Sequence, residues 1–182
     1  MQPLHYAVVA YVRNSVGRFV EELRREVYPE HSHLPAHVSV LPPRLLGGSE
    51  AAALGTLEEL CAGFEPFEVG MGDVDTFVPI TPTVLIEVRE GVEQMHRLHD
   101  YLNRDSLQYA EPWAYQPHLT IVKLASDAEA RAAEALSRER WSRYRGSRTI
   151  RVDELTFVRE GPQKHWIDVA PVHLGRSLAP RR

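Results

Sequence analysis

The sequence predicts an α+β fold of two pseudo-symmetric lobes, built from antiparallel strands with flanking helices. Short apolar runs of strand length alternate with amphipathic stretches of helical spacing. One unit then occurs twice: apolar strand, amphipathic helix, proline-containing loop, a His-x-Ser/Thr strand, helix, strand. The copies keep similar spacing, 29 residues from Val8 to His37 and 33 from Leu85 to His118. Repetition on that scale suggests two related lobes about an approximate two-fold axis, with the motif strands facing each other beside it. The 182 residues suit one such bilobal domain over 1–174. Residues 175–182, small, basic and proline-containing, read as a flexible tail.

Each element has its own local signal. Residues 5–12 are a nearly continuous apolar run, as in a buried strand. Val16, Phe19, Val20, Leu23 and Val27 then fall at helical spacing until Pro29 stops them. Residues 37–41 form a short strand closed by Pro42-Pro43. Ser49 caps a helix carrying Leu54, Leu57 and Leu60, which Gly63 ends. Residues 67–77 are extended, with Gly70 and Gly72 marking a bulge or a close backbone approach. Residues 83–88 make a Val/Leu/Ile strand, and Val92, Met95, Leu98, His99 and Leu102 form the buried face of the next helix. A polar loop with Glu111-Pro112 leads to a strand over 118–124. Ser126 and Glu129 match a capping box for a helix that buries Ala132, Ala133 and Leu136. Two strands, 149–158 and 166–172, close the chain as a hairpin through Arg159-Glu160-Gly161-Pro162.

Composition excludes several function classes. At 43% apolar and 25% charged the chain is an ordinary globule, and its charge of −4 argues against coating nucleic acid by bulk positive charge. One cysteine, Cys61, allows neither a disulfide framework nor a Cys-rich zinc module, and it reads as a packed small residue. No run reaches the roughly 18–20 apolar residues that span a bilayer, and the first five residues lack a basic leader region. The expected location is the cytoplasm, and without heptads or an exposed apolar run the expected state is a monomer. Walker, GxGxxG, HExxH and Gly-x-Ser-x-Gly motifs are absent.

The chemistry sits in Ala36-His37-Val38-Ser39-Val40 and Pro117-His118-Leu119-Thr120-Ile121. On a strand, alternation places His37 and Ser39 on one face, and His118 and Thr120 likewise. Bringing the strands together converges two imidazoles and two hydroxyls on one spot. One imidazole can take a proton from an attacking water or hydroxyl while the other gives one to the leaving oxygen. The hydroxyls can donate to nonbridging phosphate oxygens as negative charge builds there. Carboxylates would suit a phosphodiester poorly, because like charges repel.

The paired His-Val-Ser-Val and His-Leu-Thr-Ile segments resemble the 2H phosphoesterase superfamily, and in particular its 2′-5′ RNA ligase-like members. The order of strands and helices matches over nearly the whole chain. The resemblance implies a bilobal fold with the site in the cleft between lobes. It also implies hydrolysis of 2′,3′-cyclic or 2′-5′ phosphodiesters of RNA ends or nucleotides, with no metal and no cofactor. Carried over by position, His37 and His118 are the acid/base pair and Ser39 and Thr120 the phosphate ligands. Several members carry an arginine just past the second motif. Lys123 stands nearest here, and strict alternation turns it away from the site and Val122 toward it, unless a bulge intervenes.

Other candidates flank the motifs. Tyr11 on the first strand is placed to project into the cleft. Arg44 is either a phosphate ligand or a surface charge. Tyr115 and Trp113 could stack on a base or seal the loop, and Phe77 is of the same kind with a core role favoured. His31-Ser32-His33 lacks the partners of a metal site, and His96, His99, His165 and His173 have only structural or solvent roles. A net-negative chain suits a small nucleotide or a short RNA end better than extended nucleic acid. The alternative is a nucleotide or RNA-end binding module with little catalysis, which would bind a cyclic nucleotide without turning it over. A hydrolase using a metal on the loop histidines would instead lose activity to a chelator.

Overall fold

A computed structural model describes residues 4–31, 34–162 and 165–175. Most of the proposed tail, 176–182, therefore lies outside the described residues, as do Ser32 and His33 of the loop histidine pair. Eight strands and four helices follow in the order β1 (Tyr6–Tyr11), α1 (Ser15–Val27), β2 (His37–Arg44), α2 (Glu50–Ala62), β3 (Phe67–Thr76), β4 (Thr83–Glu90), α3 (Val92–Leu102), β5 (His118–Lys123), α4 (Asp127–Arg143), β6 (Thr149–Val152), β7 (Glu154–Glu160) and β8 (Trp166–His173). All strands join one antiparallel sheet in the order β6-β3-β4-β5-β2-β1-β7-β8.

The repeat in the sequence is visible in that order. Counting outward from the β5/β2 seam, β4 answers β1, β3 answers β7 and β6 answers β8. The halves also exchange parts: β3 of the first half pairs with β4 of the second, and β7 of the second pairs with β1 of the first. Helices follow suit, since α1 packs on β5 and α3 on β2. Val16, Val20, Leu23, Val38, Val40, Met95, Leu98, Leu119 and Ile121 meet in one core beneath the seam.

Local sequence sets the ends of these elements. The Asn14 side chain accepts from Val16 N and Gly17 N to start α1. Gly17 is required there, because a Cβ would lie 1.7 Å from the Val12 carbonyl oxygen. Ser49 caps α2, and Ser126 with Glu129 completes the expected box on α4. Burial on α4 differs from expectation: Ala130, Ala133, Ser137 and Trp141 face inward, while Ala132 is exposed. The stripe runs in register with the bulky Trp141, whose Nε1 donates to Gly72 O at 2.9 Å, so it takes in Ala130 and Ala133 and leaves Ala132 outside.

The predicted strand over 149–158 is two strands. It breaks at Asp153, so that β6 pairs with β3 at one sheet edge and β7 with β1 near the other. A one-residue link can join them only because the sheet curls until its two ends approach. No helix among the described residues is long and apolar enough to cross a membrane.

Candidate functional site

The two motif strands are neighbours at the seam and pair at Val38 and Leu119. Continuing that antiparallel register sets His37 opposite Thr120 and Ser39 opposite His118. Val38, Val40, Leu119 and Ile121 are buried, whereas His37, Ser39, His118 and Thr120 are half-buried on the face turned away from the core. Each strand bulges directly after its hydroxyl residue. Against β1 the pairs run Val9 to Ser39 and then Val8 to Leu41, and against β4 they run Leu85 to Thr120 and then Val84 to Val122. Val40 and Ile121 are the extra residues, and such bulges re-aim the side chains beside them.

Both imidazoles are held in the same way. His37 Nδ1 lies 2.8 Å from Pro35 O, and His118 Nδ1 lies 2.7 Å from Gln116 O. A carbonyl only accepts, so each Nδ1 carries the proton and each Nε2 is left for exchange. Aromatic edges fix the ring planes, Tyr11 against His37 at 6.3 Å and Phe77 against His118 at 4.8 Å. Desolvation by the surrounding walls lowers both pKa values, partly opposed by the carbonyl bonds. The Arg24 cation lowers His37 further, and the charge of His37 lowers His118.

The imidazoles open into two chambers. One, of about 450 Å³, holds His37 with Tyr11, Trp166 and Asp168. The other, of about 440 Å³, holds His118 with Phe77, Trp113 and Tyr115. Ser39 and Pro43 line both, so the chambers meet at the motif residues. Thr120 lines neither, although it shares the motif face.

Arg24, on the apolar face of α1, lies beneath this site and is 4% exposed. Its Nε donates to Ile121 O at 2.7 Å, Nη2 to Thr120 O at 2.9 Å and Nη1 to Leu34 O. One guanidinium thus ties the second motif strand to the segment entering the first. Nearby Glu21 accepts from Ala36 N at 2.9 Å and holds the same entry.

The remaining candidates divide. Tyr11 does reach the cleft, and its hydroxyl donates to Asp168 Oδ1 at 2.6 Å. Phe77 is cleft wall rather than core. Arg44 is a correction: at 1% exposure it is neither a surface charge nor free to hold a phosphate. Its guanidinium is consumed by Pro42 O, Asn103 Oδ1, Leu107 O and Glu111. Tyr115 donates to Ser39 O at 2.8 Å and stacks on His99 at 4.1 Å, so it ties the loop before the second motif to the first motif strand and to α3, and one face of its ring is covered by that imidazole. Trp113 is 67% exposed at the rim of the second chamber. Val122 is buried rather than turned to the site, because the bulge at Ile121 breaks the alternation. Lys123 is exposed and lines neither chamber. Burial pushes the Cys61 thiol up to about 12, as suits a packed residue. Among the described residues no group of three or more His, Cys, Asp or Glu could hold a metal ion.

Sequence reasoning missed Arg24, Glu111, Trp166 and Asp168. An arginine in register with Val16, Val20 and Val27 on an apolar face was a readable signal for Arg24. Trp166 and Asp168 alternate on β8, but only the curl of the sheet brings them to His37.

The 2′-5′ RNA ligase superfamily profile matches residues 12–163. A Halalkalibacterium halodurans protein named "Putative phosphoesterase" is 25% identical over 119 residues, which are 65% of this chain and 69% of that one. A protein of the same description from Bacillus cytotoxicus is 24% identical over 156 residues, covering 85% and 88%. Among solved structures, E. coli LigT in its complex with NADP+ superposes with a TM-score of 0.63 at 14% identity, over 97% of this chain and 100% of that one. A Thermus thermophilus protein, TT0787, gives 0.60 at 13% identity, over 96% and 100%.

Proposed function

The chain belongs to the 2′-5′ RNA ligase superfamily of 2H phosphoesterases, and from that premise we propose that it is a metal-independent phosphodiesterase. Its substrates on this reading are 2′,3′-cyclic or 2′-5′ phosphodiesters of a small nucleotide or a short RNA end. The observation that carries the proposal is the pair of imidazoles on adjacent strands, each with Nδ1 on a backbone carbonyl and Nε2 left to exchange a proton. One Nε2 takes a proton from water as its oxygen bonds to phosphorus. The other gives a proton to the ribose oxygen as its bond to phosphorus breaks. Ser39 and Thr120 donate to the nonbridging oxygens. Run backward, with acid and base exchanged, the same site joins ends in a 2′-5′ linkage. The absence of Lys and Arg among the described residues lining the two chambers supports a small substrate over a long one.

The test is a panel of 2′,3′-cyclic and 2′-5′ linked nucleotides assayed in EDTA. Turnover of at least one member is expected. Tight binding with no turnover of any member would leave a binding module instead, and loss of activity on chelation would reject the metal-free mechanism.

A further inference from the structure

The two chambers differ in charge in a way the acid/base chemistry does not require. Among the described residues lining the His118 chamber the one carboxylate, Glu111, is already neutralised, being bonded to buried Arg44 and to His99 at 2.9 Å. The rest of that wall carries no carboxylate, lysine or arginine among the described residues: aromatic and apolar Phe77, Ile80, Tyr109 and Trp113 stand beside polar Thr81 and Gln116. The His37 chamber holds Asp168, which is exposed to the cleft and forms no ion pair among the described residues. Its hydrogen-bond partner is the Tyr11 hydroxyl. Trp166 and Tyr11 stand with it, and the remaining titratable lining groups are His37 and His165. Arg13 lies over the Tyr11 ring at 5.2 Å but lines a neighbouring pocket rather than this chamber.

A carboxylate that shares its chamber with two electron-rich rings makes that chamber unfavourable for a second phosphate and favourable for an ammonium group. We infer that the His37 chamber selects phosphodiesters whose substituent on that side carries a positive charge, with a planar group seated in the His118 chamber. This deepens the phosphodiesterase reading and rests on it, but it does not depend on the substrate being a nucleotide. Hydrolysis of such a diester balances simply. Water bonds to phosphorus and passes its proton to His37, the bond from phosphorus to the planar group's oxygen breaks, and that oxygen receives the proton of His118. The cationic alcohol stays esterified as a phosphomonoester.

The probe is p-nitrophenyl phosphorylcholine beside its uncharged carbon isostere, the p-nitrophenyl 3,3-dimethylbutyl diester. We expect kcat/KM about tenfold higher for the choline ester, and Asp168→Asn to bring the two within about twofold. Calorimetric binding of phosphorylcholine against 3,3-dimethylbutyl phosphate reads the same preference without catalysis. Equal binding of that pair by the unmutated protein, or a choline preference that survives in Asp168→Asn, overturns the inference. Tighter phosphorylcholine binding with no turnover of any diester supports the inference and rejects the phosphodiesterase reading instead.

Discussion

At the residue scale the two histidines are near copies, and their shared environment has a consequence for pH. Both are pushed below the ordinary histidine value of about 6.5, chiefly by desolvation. Acid/base catalysis needs one imidazole neutral and one protonated, so the free enzyme is best populated between the two lowered values. We expect a bell-shaped kcat/KM profile with its maximum below pH 6.5. A bound phosphodiester anion favours the protonated forms, so the kcat maximum should lie at higher pH than that of kcat/KM. A kcat/KM optimum above pH 7 would contradict this. Stability follows the same groups. The unfolded chain binds more protons between the lowered values and 6.5, so stability rises with pH through that window and is lost on acidification. His37→Ala and His118→Ala should each cut kcat by about 10²–10⁴-fold while the variants melt with less acid sensitivity than the parent. Full activity in either variant would remove it from the mechanism.

At the scale of the element, α1 is more than cover for the sheet. Arg24 bonds to carbonyls of both motif segments, and its charge helps hold down the pKa of His37. In Arg24→Gln those carbonyls lose donors and the cation is gone. The expected result is about a tenfold lower kcat, with the limb of kcat/KM that His37 sets moved to higher pH because His37 regains basicity. Arg24→Lys keeps the charge without the fork, so it should leave the limb in place and still lower kcat. A limb unmoved in Arg24→Gln would reduce Arg24 to a structural bond. The periodicity of α1 and its stop at Pro29 were legible in the sequence, because apolar spacing and proline act locally. Arg24 as a tie between strands was not, since its two acceptors on β5 are roughly a hundred residues away along the chain. The motif strands show the same division. Alternation placed the His and Ser/Thr side chains together, but it failed at Val122 because a bulge is a property of paired strands. The split at Asp153 and the burial of Arg44 likewise depend on partners, β3, β1 and Glu111, that no local pattern names.

For the whole molecule, exchange of strands and helices between halves means that neither lobe is continuous in sequence. The lobe around β4 owes β3 and α1 to the first half, and the lobe around β1 owes β7 to the second. The site inherits this, because His37 and His118 come from different halves and meet only when the seam between β2 and β5 forms. Two lobes that each need the other's strands should unfold together. Tryptophans report on both sides: Trp141 is buried against β3, and Trp166 lies on β8 beside β7. In two variants, each keeping one of these and with the other tryptophans replaced by Phe, the fluorescence and far-UV circular dichroism transitions in urea should coincide. Fragments 1–80 and 81–182 should each remain unfolded alone, since each would expose the unpaired edges and core faces that the other covers. A fluorescence midpoint well separated from that of circular dichroism in either variant, or a fragment with a cooperative transition of its own, would show that the lobes are independent. The pairing of the histidines would then be a docking of two stable bodies rather than part of the folding reaction.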